Sequence, residues 1–334
     1  MHFSLFYFAE DAGHSTGNRY RLLLDGARYA DRSGFSAVWI PERHFHPVGG
    51  IYPNPAVVGA AVAAVTERVG IRAGSVVAPL HHPLRIAEEW SVVDNLSRGR
   101  IGLSLASGWN QRDFVLNPTG FETRKEDTLS SVDVLRALWL GESWNEDGSP
   151  HVGVFPRPVG PLRLWLSAAG GVETFRAAGR AGTGVLTHLV KQDMDELAQK
   201  ILEYRKAYAA SGAPGQGHVT LMLHTFVDPD QRRAVDTARA PLENYLVGAL
   251  TPTRRAVDDQ TRAKALAAVR PAADRYLFSD GLIGGPEHGA LVVDRCRQSG
   301  VDEIACLIDF GVDPDTVLAG LEHLNELRAA HTDD

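Results

Sequence analysis

The chain has 334 residues, of which 44% are hydrophobic and 22% charged, the balance of a folded protein rather than a disordered or collagen-like one. Its 34 Lys and Arg against 41 Asp and Glu leave a formal net charge of −7, which argues against a nucleic-acid or membrane-surface protein. No apolar run approaches the roughly 18 residues needed to span a bilayer, and the N-terminus (MHFSLFYFAEDAGH) has no basic stretch ahead of its apolar one, so it reads as a buried strand and not a signal peptide.

Short apolar runs then alternate with helical patterns along nearly the whole chain. Residues 3–8 (FSLFYF) predict a first strand. Residues 19–33 predict a helix with Leu22, Leu23, Ala27 and Ala30 on one face and Gly34 as its stop signal. Strands at 37–41, 70–78 and 100–107 are each followed by a helix, at 55–67, 84–97 and 125–140. Residues 141–161, rich in Gly, Pro, Asp and Ser, read as a loop insertion. Strand 162–168, helix 172–180, strand 184–190, helix 192–211 and strand 218–227 resume the rhythm. Residues 228–285 read as a second insertion, helical but irregular and rich in Ala and Arg. A helix at 287–299, a strand at 303–309 and a helix at 314–330 close the chain. Continuous apolar strands alternating with helices imply a parallel sheet covered on its outer face, and eight units favour a closed barrel over an open doubly wound sheet. The expectation is an α/β fold, a (β/α)8 TIM barrel forming a single domain over 1–334 with the two insertions. The two cysteines, Cys296 and Cys306, form no motif. With no export signal, they point to a reducing cytoplasm.

In such a barrel the chemistry lies at the C-terminal ends of the strands. Glu10, Asp11 and His14 follow the first strand, PERHFHPVGGIYPNP (41–55) the second, PLHHP (79–83) the third, SGWNQRDF (107–114) the fourth and SAAGG (167–171) the fifth. Thr187 and His188 end the sixth, and His224 lies on the seventh. Seven histidines (14, 44, 46, 81, 82, 188 and 224) therefore fall near one rim. His44-Phe45-His46 raises a metal site first, but the pair lies beyond Pro41 in a loop, and no carboxylate clearly completes a shell. No metal is expected. Imidazoles bonded to loop backbone, or one or two acting on a ligand as donors or acid–base groups, are the other readings. SAAGG offers small residues and a helix N-terminus to a phosphate, or makes only a tight turn. Ser107 is placed to donate to a phosphate. Trp109 walls a flat ring or serves as a rim hydrophobe. Gly74 and Ser75, inside a strand, mark a close ligand approach or a tight barrel layer. The sequence has no G-x-G-x-x-G or G-x-x-x-x-G-K-[ST], so a Rossmann nicotinamide domain and a P-loop are unsupported.

Taken in order, GFSAVWIPERHFHPVGGIYPNP (34–55), TERVGIRAGSVVAPLHHPLRIAEEWSVVDNLSRGRIGLSLASGWNQRDF (66–114), PRPVGPLRLWLSAAGGVETFRAAGRAGTGVLTHL (156–189) and GVDEIACLIDFG (300–311) resemble the luciferase-like flavin monooxygenases over almost the whole chain. They are most similar to the subgroup found in polyketide and non-ribosomal peptide pathways. With no flanking carrier or condensation domain, a free-standing member is expected. The resemblance implies reduced FMN bound at the strand ends and supplied by a separate flavin reductase. It implies O2 chemistry through a C4a-peroxyflavin on a substrate that is free or tethered to a carrier protein, and commonly a homodimer. Carried over residue by residue, Gly74 and Ser75 lie under the isoalloxazine, and Ser107 and Gly108 contact the flavin. Ala169, Gly170 and Gly171 form the phosphate loop, and Thr187 ends the sixth strand near the flavin. The E-H-H-F signature of bacterial luciferase is Glu42-Arg43-His44-Phe45 here, its reactive cysteine is Ala106 and its phosphate-clamp arginine is Ser107. Light-emitting aldehyde oxidation is thus not expected. His44 is left as the acid–base candidate, with Arg43 as an anion-binding one. A deazaflavin-dependent oxidoreductase on the same barrel, a metal-dependent hydrolase on the His-rich rim and a flavin binder without catalysis are the alternatives.

Overall fold

The computed structural model describes residues 1–8, 18–46, 49–145, 150–250 and 259–332; Glu10, Asp11 and His14 lie outside the described residues. In chain order the elements are β1 (His2–Phe6), α1 (Arg21–Ser33), β2 (Ala37–Ile40), α2 (Pro55–Ala63), β3 (Gly70–Val77), α3 (Pro83–Ser97), β4 (Ile101–Ala106) and α4 (Arg124–Trp139). They continue with β5 (Leu164–Ala168), α5 (Val172–Arg180), β6 (Gly184–His188), α6 (Met194–Ala210), β7 (Val219–Val227), α7 (Gln231–Leu250) and α8 (Asp259–Arg275). The last are β8 (Leu282–Gly284), α9 (Pro286–Gln298), β9 (Glu303–Leu307) and α10 (Pro314–His331).

Local chemistry explains the helices. On α1 the periodic Leu22, Leu23, Ala27 and Ala30 are buried, and Gly34 ends it at φ 79°, returning its N–H to Ala30. Asn54 caps α2 by accepting from the N–H groups of Ala56 and Val57, with Pro55 next in line. A reciprocal Asp193–Glu196 capping box opens α6.

The strands pair in parallel in the order β6-β5-β4-β3-β2-β1-β9-β7, and β6 also pairs with β7, which closes an eight-stranded barrel inside the helices. The fold is the expected (β/α)8 TIM barrel. One element differs from expectation. Within 228–285, read as helical throughout, Leu282–Gly284 is a strand that pairs with Thr225–Val227 of β7, past the stretch of β7 that meets β9. Three residues between glycines are too few to carry a period.

The barrel interior is stratified. At its floor, Glu303 is reached by Ser4, Trp39, Arg72 and His218. Above it Phe6 stacks on Trp39, and a Cβ at Gly74 would come within 2.8 Å of the Phe6 ring, so barrel packing alone requires a glycine there. Nearer the mouth lies a row of hydroxyls from Ser75, Ser167 and Ser104. The register between β3 and β4 shifts from Gly74 to Val76, and the Gly74–Ser75 peptide is cis. Among the described residues no helix is long and apolar enough to cross a membrane.

Candidate active site

The segment after β2 turns across the mouth of the barrel and buries its charged residues. The Glu42 side chain is fully buried. One carboxylate oxygen accepts the Val77 backbone N–H at 2.8 Å, which ties the loop to the end of β3. The other is reached by His44 Nε2 at 2.7 Å and by His81 Nε2 at 2.6 Å. Burial by itself would raise the Glu42 pKa, but the bonds from the two imidazoles, the charge of His81 and the Val77 N–H outweigh it and hold the group below its usual range. His81 moves the other way. Burial depresses it, and the hydrogen bond and charge of Glu42 carry it above the ordinary imidazole value.

Glu42 corrects the reading that no carboxylate completes a shell at the His-rich rim. Its oxygen and the two Nε2 atoms lie within 4.8 Å of one another, a set able to hold a divalent ion. The separations of 2.6 and 2.7 Å are those of charge-assisted hydrogen bonds. They are shorter than the roughly 3 Å between neighbouring ligands of an ion bound at about 2.0–2.2 Å. The geometry therefore favours a hydrogen-bonded trio.

The rest of the histidine rim divides by role. His82 caps α3 through Nδ1, accepting the Leu84 N–H at 3.2 Å. Nδ1 of His188 accepts the Val190 N–H at 3.2 Å, and burial pushes its pKa down to about 4. His224 is boxed by Tyr245, Tyr276 and Phe310 at 5.0, 4.8 and 5.6 Å between ring centres, and burial lowers it to about 3. It is a neutral aromatic wall.

Across the mouth, β5 ends in the buried Ala168, after which Ala169 and Gly171 are exposed and Gly170 adopts φ 108°. Gly171 precedes α5 without any side-chain cap, and a Cβ there would meet only Thr174 Oγ1, at 4.0 Å. The Thr174 N–H donates to the Gly171 carbonyl at 3.1 Å, and no side chain caps the amides ahead of it, the arrangement that receives an anion. Lys191 stands beside this turn, its Cβ 3.8 Å from where a Cβ of Gly170 would be. Sequence reasoning missed Lys191, since only the pairing of β5 with β6 brings it there. The Thr187 hydroxyl donates to the Ala168 carbonyl at 2.8 Å and accepts from Gln192 Nε2 at 3.0 Å, so it fixes the same turn from behind. Ser107 and Gly108 lie half-buried past β4, leading to Trp109, which is 64% exposed and covers the Arg43 guanidinium at 4.8 Å.

The mouth therefore presents an anion-receiving turn on the β5–β6 side and a histidine–carboxylate cluster with a stacked arginine on the β2–β3 side. Among known proteins, the family model described as luciferase-like monooxygenase matches residues 1–303. An F420-dependent glucose-6-phosphate dehydrogenase from Beutenbergia cavernae is 30% identical over 278 residues, covering 78% of this chain and 80% of that one. The oxygenase component of a flavin-dependent trigonelline monooxygenase from Acinetobacter baylyi is 24% identical over 353 residues, covering 100% and 96%. Of the solved structures, monooxygenase RslO1 from Streptomyces bottropensis superposes with a TM-score of 0.81 at 23% identity over 99% of each chain, a likeness of fold.

Proposed function

The chain belongs to the luciferase-like monooxygenase family, and from that premise we propose that it is the reduced-FMN-dependent oxygenase of a two-component system, fed by a separate flavin reductase, that oxidises a polyketide or peptide natural-product intermediate with O2. Whether that intermediate is free or carrier-bound, the reading places the enzyme in the cytoplasm, in keeping with its two free, buried cysteines.

The residues present fit the cofactor. The open turn at Gly170 and Gly171, the uncapped amides of α5 and Lys191 would hold the phosphate. Gly74, Ser75, Ser107 and Gly108 would line the ring. When bound, reduced FMN supplies the electrons that activate O2 for transfer of one oxygen atom to the substrate. The single observation that carries the reading is the His44–Glu42 bond at 2.7 Å. With its Nε2 proton held by the carboxylate, His44 keeps Nδ1 free to exchange a proton with a ligand, and the buried carboxylate fixes the orientation of the ring. Phe8 and Trp109 flank Arg43 at the mouth, where they would cover a bound ligand.

A second reading, hydride transfer with a deazaflavin, is favoured by the 30% identity to the F420-dependent dehydrogenase. Anaerobic titration separates the two. The proposal expects reduced FMN to bind at least about tenfold more tightly than the reduced deazaflavin. The reverse preference would hand the site to the second reading.

A further inference from the structure

Arg43 is 6% exposed, and its Nε is buried without a hydrogen-bond partner. Among the described residues it forms no ion pair. Its backbone is fixed by the N–H bond to the Tyr52 carbonyl at 3.0 Å. Its guanidinium is held by two rings, 4.8 Å from the centre of Trp109 and 5.8 Å from that of Phe8. Asp113, the acid with most influence on it, is engaged by Asn110 Nδ2 at 2.7 Å. Arg72, the other deeply buried arginine named so far, also lies over two rings, but both oxygens of Glu303 meet it, at 2.9 and 2.7 Å. The two rings and the more distant Asp113 offset the burial of Arg43 only in part, and no carboxylate pairs with it directly, so an anion brought to the guanidinium would supply the missing partner.

The neighbourhood describes the rest of the ligand. The rings an incoming ligand meets beside the guanidinium are the half-buried Phe8 and the exposed Trp109, while Tyr245, which Phe8 meets edge-on at 6.1 Å, backs them from the core. Such surfaces take flat rings, and a planar five-donor fork matches a planar two-oxygen acceptor. We propose that Arg43 is the specificity residue that receives a carboxylate on the substrate, and that the substrate is a planar acid, aromatic or conjugated. This deepens the reading of the same mouth, but the binding it requires needs neither reduced flavin nor O2, so the two can fail separately.

Calorimetry with benzoate and its neutral isostere benzamide, on the full chain with and without oxidised FMN, tests it. Benzoate is expected to bind at least about tenfold more tightly than benzamide, and Arg43→Met should erase that difference. The ligand-free Arg43→Met protein should melt no lower than the original, because no ion pair is lost and the Met thioether can keep the contacts with the two rings. Equal affinities in the original chain, or an unchanged preference in Arg43→Met, would overturn the proposal. So would a variant that fails to fold, which would make Arg43 structural. A variant that loses affinity for FMN but not for riboflavin would assign Arg43 to the flavin phosphate and overturn it as well.

Discussion

Glu303 at the barrel floor and Glu42 at its mouth are both buried carboxylates bonded to histidine, yet their surroundings differ in kind. Glu303 accepts from Ser4 at 2.6 Å, Trp39 Nε1 at 3.0 Å and His218 at 3.0 Å, and it faces Arg72, a permanent cation. Burial would raise it, but the Arg72 charge and the bonds from His218 and Ser4 drive it far below the carboxylate range. Among the described residues Glu42 is bonded by imidazoles and one amide, so the positive charge bonded to it exists only when a histidine is protonated. The arginines repeat the contrast, since Arg72 is neutralised and Arg43 is not. Satisfied charge at one end holds the barrel together. Titratable and unpaired charge at the other is available for a ligand. A cavity of about 630 Å³ opens at the floor, lined by Arg72, Trp165, His218 and Glu303 among others. Its size does not make it the reaction site, since conservation of chemistry in such barrels belongs to the C-terminal ends of the strands.

Breaking the floor should have the largest effect. Glu303→Ala strands Arg72 in the interior and should destabilise the chain by about 3–5 kcal/mol in urea unfolding. A loss below about 1 kcal/mol would dissolve the contrast, since the floor would then be no better tied than a surface pair. At the mouth, His44→Ala should slow substrate oxidation about 100-fold while leaving flavin affinity nearly intact. Full turnover in that variant would remove His44 from the mechanism. On the opposite side of the mouth, Gly171→Asp sets a carboxylate against the phosphate and should weaken FMN binding at least about tenfold, or about 1.4 kcal/mol, by fluorescence titration. Unchanged affinity would relocate the phosphate.

The smallest effect is a pH dependence that the two ends do not share. Because His81 is raised in the folded chain, its contribution is full below the unfolded value of about 6.5 and fades as pH rises through the folded one. Glu42 and Glu303 are lowered, so their contributions are present above about 4.3 and are lost only as acid reaches their folded values. Mild alkali should loosen the mouth and leave the Glu303–Arg72 pair untouched. In an NMR titration the His81 midpoint should fall in Glu42→Gln; equal midpoints would show that Glu42 does not hold the charge.

Local signals in the sequence were readable and distant pairings were not. The face of α1, its stop at Gly34 and the eight-strand rhythm each depend on residues a few positions apart. Glu42 stood inside a segment already singled out, but its partner His81 is 39 positions away and meets it only because β2 and β3 run side by side. The same holds for Trp109 over Arg43 and for Lys191 beside Gly170. The histidine cluster shows the converse. A shared rim does not imply a shared task, because His82 and His188 turn to backbone and His224 to aromatic rings.

The central claim is that this mouth controls the reaction of reduced FMN with O2. Stopped-flow absorbance of the protein and chemically reduced FMN, mixed with oxygenated buffer, tests it directly, with and without a planar acid such as benzoate. The account predicts a transient spectrum distinct from both reduced and oxidised FMN, longer-lived than with free flavin. Reoxidation indistinguishable from that of free flavin under both conditions would contradict it.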